Sequence, residues 1–240
     1  MKVAVISDIH GNRFALEAVL EDIATQGVDL TVNLGDTLAG PIEPAETCRI
    51  LMDTGFPTVR GNHDRSLVDR PVEKMDDVDR FVIAHISDEQ RRWIGNLPAT
   101  LAIDEIFLCH GTPTSDVDPW LDDWFDGRKT TLPSERHIEE KAAGHDYPVL
   151  LCGHTHIPHV VRLRDGRMII NPGAVGLQFV RGAPDARYGI LERRDGRWQS
   201  STRVVPYDWT AAARTAIANG FPAWETALTT GWVGAEGLFT

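Results

Sequence analysis

The 240-residue chain has only three cysteines, Cys48, Cys109 and Cys152. They are too few and too scattered for a disulfide framework or a thiolate zinc site. No run of eighteen apolar residues occurs, so no membrane span is expected. The opening Met1-Lys2-Val3-Ala4-Val5-Ile6 is too short for a secretory signal and soon meets Asp8, which makes the cytoplasm the expected location. Positive charge is scarce: 24 Lys and Arg stand against 35 Asp and Glu, a net charge of −11. General nucleic-acid binding through a basic face is therefore not expected. A small phosphate ester stays open as a partner, because bound metal ions would reverse the field locally. No linker-like stretch, internal repeat or low-complexity tract divides the chain, so one domain over residues 1–240 is expected.

What the chain does have is five short hydrophobic runs that each stop at Asp, Asn or His. Val3–Ser7 leads into Asp8-Ile9-His10, Leu30–Gly35 into Asp36, and Pro57–Gly61 into Asn62-His63-Asp64. Ile106–Cys109 leads into His110, and Val149–Gly153 into His154-Thr155-His156. Runs rich in Val, Ile and Leu suit buried strands of an α/β sheet. Ligands collect beyond the carboxyl ends of such strands.

Around these runs the first seventy residues alternate strand and helix. Helices are expected from about Arg13 to Gln26 and near Glu43–Asp53, with short strands at Leu30–Leu34 and Pro57–Val59. Asp76–Leu97 reads as helical, followed by strands at Thr100–Asp104 and Ile106–His110. After His156 the pattern becomes strands His159–Arg164, Arg167–Ile170, Arg187–Arg193 and Arg197–Pro206, with hairpin signals at Asp165-Gly166 and Asp195-Gly196. Residues 207–240 close the chain with helices over Thr210–Asn219 and Ala223–Thr229. The expected architecture is α/β, two mixed sheets packed face to face with helices outside.

Asp8 and His10 are two residues apart, so extended backbone turns both to one side, and His154 and His156 repeat that spacing. With Asp36, Asn62 and His110 they make seven ligand candidates, more than one transition metal takes. Each residue alone has a plainer reading: Asp and Asn cap helices and shape turns, and a lone histidine is more often structural. His85, His137, His145 and His159 stay under that reading. Seven candidates gathered at five strand ends do not.

These motifs, Asp8-x-His10, Gly35-Asp36, Gly61-Asn62-His63-Asp64, His110-Gly111 and Gly153-His154-Thr155-His156, resemble the signature of the calcineurin-like metallophosphoesterases. They run in that family's order from residue 3 to about residue 176. The opening Ser7-Asp8-Ile9-His10-Gly11-Asn12 and the later Asn171-Pro172-Gly173 resemble its compact prokaryotic phosphodiesterases of the YfcE type. The resemblance implies the α/β/β/α sandwich of that family and two divalent metal ions, with Mn, Fe, Ni, Co and Zn all suited to mixed His, carboxylate and amide ligands. It implies Asp8, His10 and His156 on the first ion, Asn62, His110 and His154 on the second, and Asp36 bridging them. His63 would face the substrate as a proton donor to the leaving oxygen, with Asp64 orienting its ring.

The implied activity is hydrolysis of small phosphodiesters by metal-bridging hydroxide. A phosphomonoesterase or nucleotide hydrolase of the same superfamily is the alternative, and a scaffold that has kept the fold is a further one. Asn12 has two readings, a cap for the following helix or a contact to a phosphate oxygen. The chain departs from its relatives at Ala174, where they often carry Ser, and in the long stretch Thr112–Tyr147, expected as a lid insertion carrying Trp120, Trp124 and Phe125. Gly35-Asp36 runs into Thr37-Leu38 rather than into the Asp-Arg-Gly of protein phosphatases, which argues against that activity. Self-association is not legible.

Overall fold

The computed structural model describes residues 1–124, 130–233 and 237–239. In chain order the elements begin with β1 (Lys2–Ile6), α1 (Arg13–Thr25), β2 (Leu30–Asn33), α2 (Pro44–Thr54), α3 (Asn62–Asp69), α4 (Asp77–His85) and α5 (Asp88–Gly95). There follow β3 (Leu101–Ile103), β4 (Ile106–Leu108), the short pair β5 (Asp123–Trp124) and β6 (Thr130–Thr131), α6 (Glu135–Lys141) and β7 (Val149–Leu151). The chain continues through β8 (His159–Arg162), β9 (Met168–Asn171), β10 (Ala186–Arg194), β11 (Arg197–Val205), α7 (Trp209–Ala218) and α8 (Trp224–Thr230).

Two mixed sheets form, in strand orders β11-β10-β1-β2 and β3-β4-β7-β9-β8. β1 runs parallel to β2, and β4, β7 and β9 run parallel to one another, so all five carry their carboxyl ends to the same side of their sheet. Val3, Val5 and Val32 of the first sheet meet Ile106, Leu108, Val149 and Leu151 of the second in one buried cluster. The alternate residues Ala4 and Ile6 pack instead against Ala15, Leu16 and Val19 of α1. Period-two alternation thus buries both faces of β1, which explains why its sequence is a continuous apolar run. On the outer face of the second sheet, Phe107, Leu150 and Ile169 pack against Trp120, Leu121 and Ile138. The architecture is the expected one: two facing mixed sheets flanked by helices. Among the described residues no helix is long and apolar enough to cross a membrane.

Two expected elements differ. Pro57–Val59 is not a strand but makes a single parallel bridge, Asn33 to Thr58, because α3 begins three residues after Val59. The helix expected over Asp76–Leu97 is broken at Ser87, which accepts from Gln90 N–H at 3.2 Å while Gln90 accepts from Ser87 N–H at 2.9 Å. That reciprocal cap starts α5 afresh. Phe125 and the side chain of Trp124 lie outside the described residues.

Candidate metal centre

The five motif-bearing turns converge at the carboxyl ends of β1, β2, β4 and β7 and at the start of α3. Two ligand clusters result: Asp8, His10 and His156 in one, Asp36, His110 and His154 in the other, each with its donor atoms within 4.8 Å of one another. The backbone there is unusual. Among the described residues seven that are not glycine have positive φ; Asp104 and Asp195 are hairpin turns, and the other five are Asp8, His10, Asp36, His154 and His156. Left-handed backbone disfavours a Cβ, so these turns persist only because their surroundings over-determine them. Neighbouring glycines make the room. A Cβ on Gly61 would lie 2.1 Å from Asp36 Oδ1, and one on Gly176 would lie 1.7 Å from the Ile9 carbonyl oxygen.

Each imidazole is held from behind by a main-chain carbonyl. Nδ1 of His10 bonds to Ala39 O at 2.7 Å, Nδ1 of His110 to Leu34 O at 2.8 Å, and Nδ1 of His156 to Leu177 O at 2.6 Å. The carbonyl accepts, so Nδ1 carries the proton and the Nε2 lone pair faces inward. His154 is held the other way round, with the Val117 carbonyl as its backbone partner and Nδ1 turned to Asn62.

The inward atoms crowd one another. His10 Nε2 and His156 Nε2 are 3.2 Å apart, and with both Nδ1 atoms serving as donors they are two lone pairs face to face. Asp8 Oδ1 is fully buried with no hydrogen-bond partner, 3.5 Å from His156 Nε2. Asp36 Oδ1 accepts from the His63 N–H at 2.9 Å, while its Oδ2 lies 3.2 Å from His110 Nε2 and 3.9 Å from His10 Nε2. One oxygen of Asp36 therefore looks into both clusters. A convergence of acceptors like this repels itself unless cations sit among them, so the donor set fits divalent metal ions.

Asn62 completes the second cluster. The terminus of its amide that faces the site is 3.1 Å from His110 Nε2, 3.0 Å from His154 Nδ1 and 3.3 Å from the Asp116 carbonyl oxygen. Around a cation that terminus is the amide oxygen. Without one, a half-turn of the amide lets nitrogen donate its two hydrogens to His154 Nδ1 and the Asp116 carbonyl oxygen, at 3.0 and 3.3 Å.

Protonation in the metal-free protein follows the same contacts. Burial pushes the Asp8 carboxyl up to about 7 despite His110 nearby. Burial would raise Asp36 as well, but the His110, His63 and His10 imidazoles outweigh it and hold that carboxyl well below its usual range. His110 is the mirror case: burial would lower it, yet Asp36 and Asp8 raise it to about 10. Burial lowers His10 and His156, and takes His63 and His154 down to about 4.

The residues expected to serve catalysis are placed less uniformly. His63 stands beside the first cluster, its ring 5.5 Å from that of His10. Asp64 does not hold the His63 ring. Its Oδ1 accepts from Thr37 N–H and Thr37 Oγ1 at 2.9 and 2.6 Å, and its Oδ2 accepts from Gly61 N–H at 3.1 Å. As the third residue of α3 it closes that helix's first turn and fixes the loop bearing Asp36, so its contacts correct the orienting role expected for it. Asn12 is spent on structure: Oδ1 caps α1 through Ala15 N–H, and Nδ2 donates to Gly176 O and Tyr207 Oη, which leaves no amide hydrogen for a phosphate. Trp120 is buried beneath α6 and donates from Nε1 to Ile138 O at 3.1 Å.

Sequence reasoning missed two aromatic neighbours. Phe179 stacks on His156 at 4.4 Å, and Phe239 lies 4.1 Å from the His63 ring and 5.4 Å from His10. Neither has a local motif.

The profile of the calcineurin-like phosphoesterase superfamily domain matches residues 1–196. An uncharacterised protein of Methanocaldococcus jannaschii is 28% identical over 92% of this chain and 94% of its own length. A phosphodiesterase of Escherichia coli, YfcE, is 30% identical over 80% of this chain and 88% of its own. Among solved structures, a metallophosphoesterase from Sphaerobacter thermophilus superposes with a TM-score of 0.78 at 26% identity, covering 97% of this chain and 99% of that one.

Proposed function

The chain belongs to the calcineurin-like phosphoesterase superfamily, and from that premise we propose a phosphodiesterase that works with two divalent cations on small diesters. Asp8, His10 and His156 hold one cation, Asn62, His110 and His154 the other, and Asp36 is shared. The observation that carries this reading is the pair of opposed lone pairs, His10 Nε2 and His156 Nε2, 3.2 Å apart. A cation bound by both nitrogens relieves that contact while leaving both Nδ1–carbonyl hydrogen bonds in place. Bound there, divalent cations supply Lewis acidity toward phosphoryl oxygens and make water nucleophilic near neutral pH. Mn suits this mixed ligand set, as do Fe, Co, Ni and Zn.

The chain's own residues do the rest. Asp36 keeps the two clusters in register, anchored by the His63 N–H. The three backbone carbonyls behind His10, His110 and His156 fix their tautomers before any metal arrives. His63, beside the first cluster and free of any side-chain hydrogen bond among the described residues, donates a proton to the departing oxygen once the charge of a bound phosphate ester offsets the burial that holds its ring near 4 in the empty site. Phe239 lies over one face of that ring. The preference for diesters is supported by the Escherichia coli relative.

The test is turnover of bis(p-nitrophenyl) phosphate and p-nitrophenyl phosphate by Mn-supplemented protein, with metal counted by elemental analysis. Faster diester cleavage with two ions per chain is expected. Faster monoester cleavage turns the assignment to a monoesterase, and a fully loaded protein inert to both removes it.

A further inference from the structure

A cleft of about 330 Å³ opens beside the second cluster, with Arg60, Arg65, Thr100, His110, Thr114 and Asp116 in its walls. Its three sides come from the approach to α3, the approach to β3 and the loop after β4. Arg65 is spoken for: Nε and Nη2 reach the Asp116 carboxylate at 2.6 and 3.0 Å. Arg60 is not. Its backbone N–H donates to Pro98 O at 2.8 Å, but its guanidinium makes no hydrogen bond or ion pair among the described residues. Two arginines against one aspartate leave the cleft one net positive charge, in a chain whose total is −11. The cleft also shares His110 with the candidate centre, so an ester bound at the cations extends toward it. A free guanidinium is a fork suited to phosphate oxygens.

We infer that this cleft binds a second, non-scissile phosphate of the substrate, with Arg60 as its ligand. The inference rests on the phosphodiesterase reading and adds the substrate class: esters that carry a further phosphate beyond the one cleaved.

Calorimetric titration of the metal-loaded full chain with thymidine 3′,5′-bisphosphate and with thymidine 5′-phosphate isolates that group. The bisphosphate should bind about tenfold tighter, the size of one charged hydrogen-bonded contact. Arg60→Gln should bring the ratio near one, and Arg60→Lys should restore part of it. If Arg60→Gln does not fold, Thr114→Asp at the exposed rim of the cleft must abolish the advantage instead. Equal affinities in the wild-type protein, or an advantage that survives these changes, overturn the inference. Turnover of the 5′-p-nitrophenyl esters of thymidine 5′-phosphate, with and without the 3′-phosphate, should show the same ratio in kcat/KM. If neither ester is cleaved, the hydrolase reading falls, while the calorimetric ratio still decides the cleft.

Discussion

Asp8, His10 and His156 are held almost wholly by the core: all three are buried, and so are Ala39 and Leu177, whose carbonyls back the two imidazoles. The second cluster is built differently. His154 is half-buried and leans on the Val117 carbonyl, and Asn62 lies against the Asp116 carbonyl. Both supports belong to the long segment after His110, which Arg65 clips to α3 through Asp116. A site backed by buried segments keeps its geometry with or without a cation, whereas one backed by a surface loop depends on how well the loop is held. The first cluster should therefore be the tighter and the second the exchangeable one.

Asp36→Asn breaks the comparison outright, because the shared oxygen serves both clusters. Loss of both ions and a fall in activity beyond the roughly 10²–10⁴-fold expected from losing an acid catalyst should follow. Two retained ions with near-normal turnover would sink the bridging assignment. Next in size is His63→Ala. It should cost alkyl esters roughly 10²–10⁴-fold more than nitrophenyl esters, since only the alkoxide needs a proton, with both ions retained. Equal losses for the two ester classes would make His63 a phosphate ligand instead.

Trp120→Ala tests how firmly the loop is rooted. Removing a fully buried indole should cost about 3–5 kcal/mol in denaturant unfolding, without reordering substrates. A changed substrate ranking at undiminished stability would return Trp120 to a lid role. Arg65→Ala, which frees Asp116, should weaken the second ion about 10–100-fold and spare the first. Equal weakening of both would erase the distinction drawn between the clusters.

The finest test is pH. Metal competes with protons, so affinity climbs with pH until the most basic ligand of the cluster has lost its proton. Burial brings Asp8 to about 7, so affinity for the first ion should level off above neutrality. His110, raised to about 10 by Asp36 and Asp8, should keep affinity for the second rising by up to about tenfold per pH unit through pH 9. Parallel curves for the two ions would contradict this.

The sheets and the seven ligand candidates were legible because strand ends are written locally, as a run of Val, Ile and Leu that stops at a polar residue. Asp64 was misread because its partners, Thr37 and Gly61, are fixed by the fold, and its neighbour in sequence is not its neighbour in space. The carbonyls behind the imidazoles were invisible for a deeper reason. Ala39, Leu34, Val117 and Leu177 contribute main-chain oxygen, which every residue possesses. Phe179 and Phe239 were likewise hidden, since no pattern links position 239 to position 63.

The left-handed backbone at Asp8, His10, Asp36, His154 and His156 decides which substitutions are clean experiments. Alanine, the usual probe, removes the ligand atom but keeps a Cβ where φ is positive, at a cost of about 1–2 kcal/mol in conformational strain. Glycine removes both, so His154→Gly can prove more stable than His154→Ala while losing the same imidazole. Asparagine tolerates this backbone almost as well as glycine, which makes Asp8→Asn and Asp36→Asn the substitutions least confounded by folding. A mutational scan of this protein should accordingly show glycine and asparagine, not alanine, as the mildest replacements at those five positions.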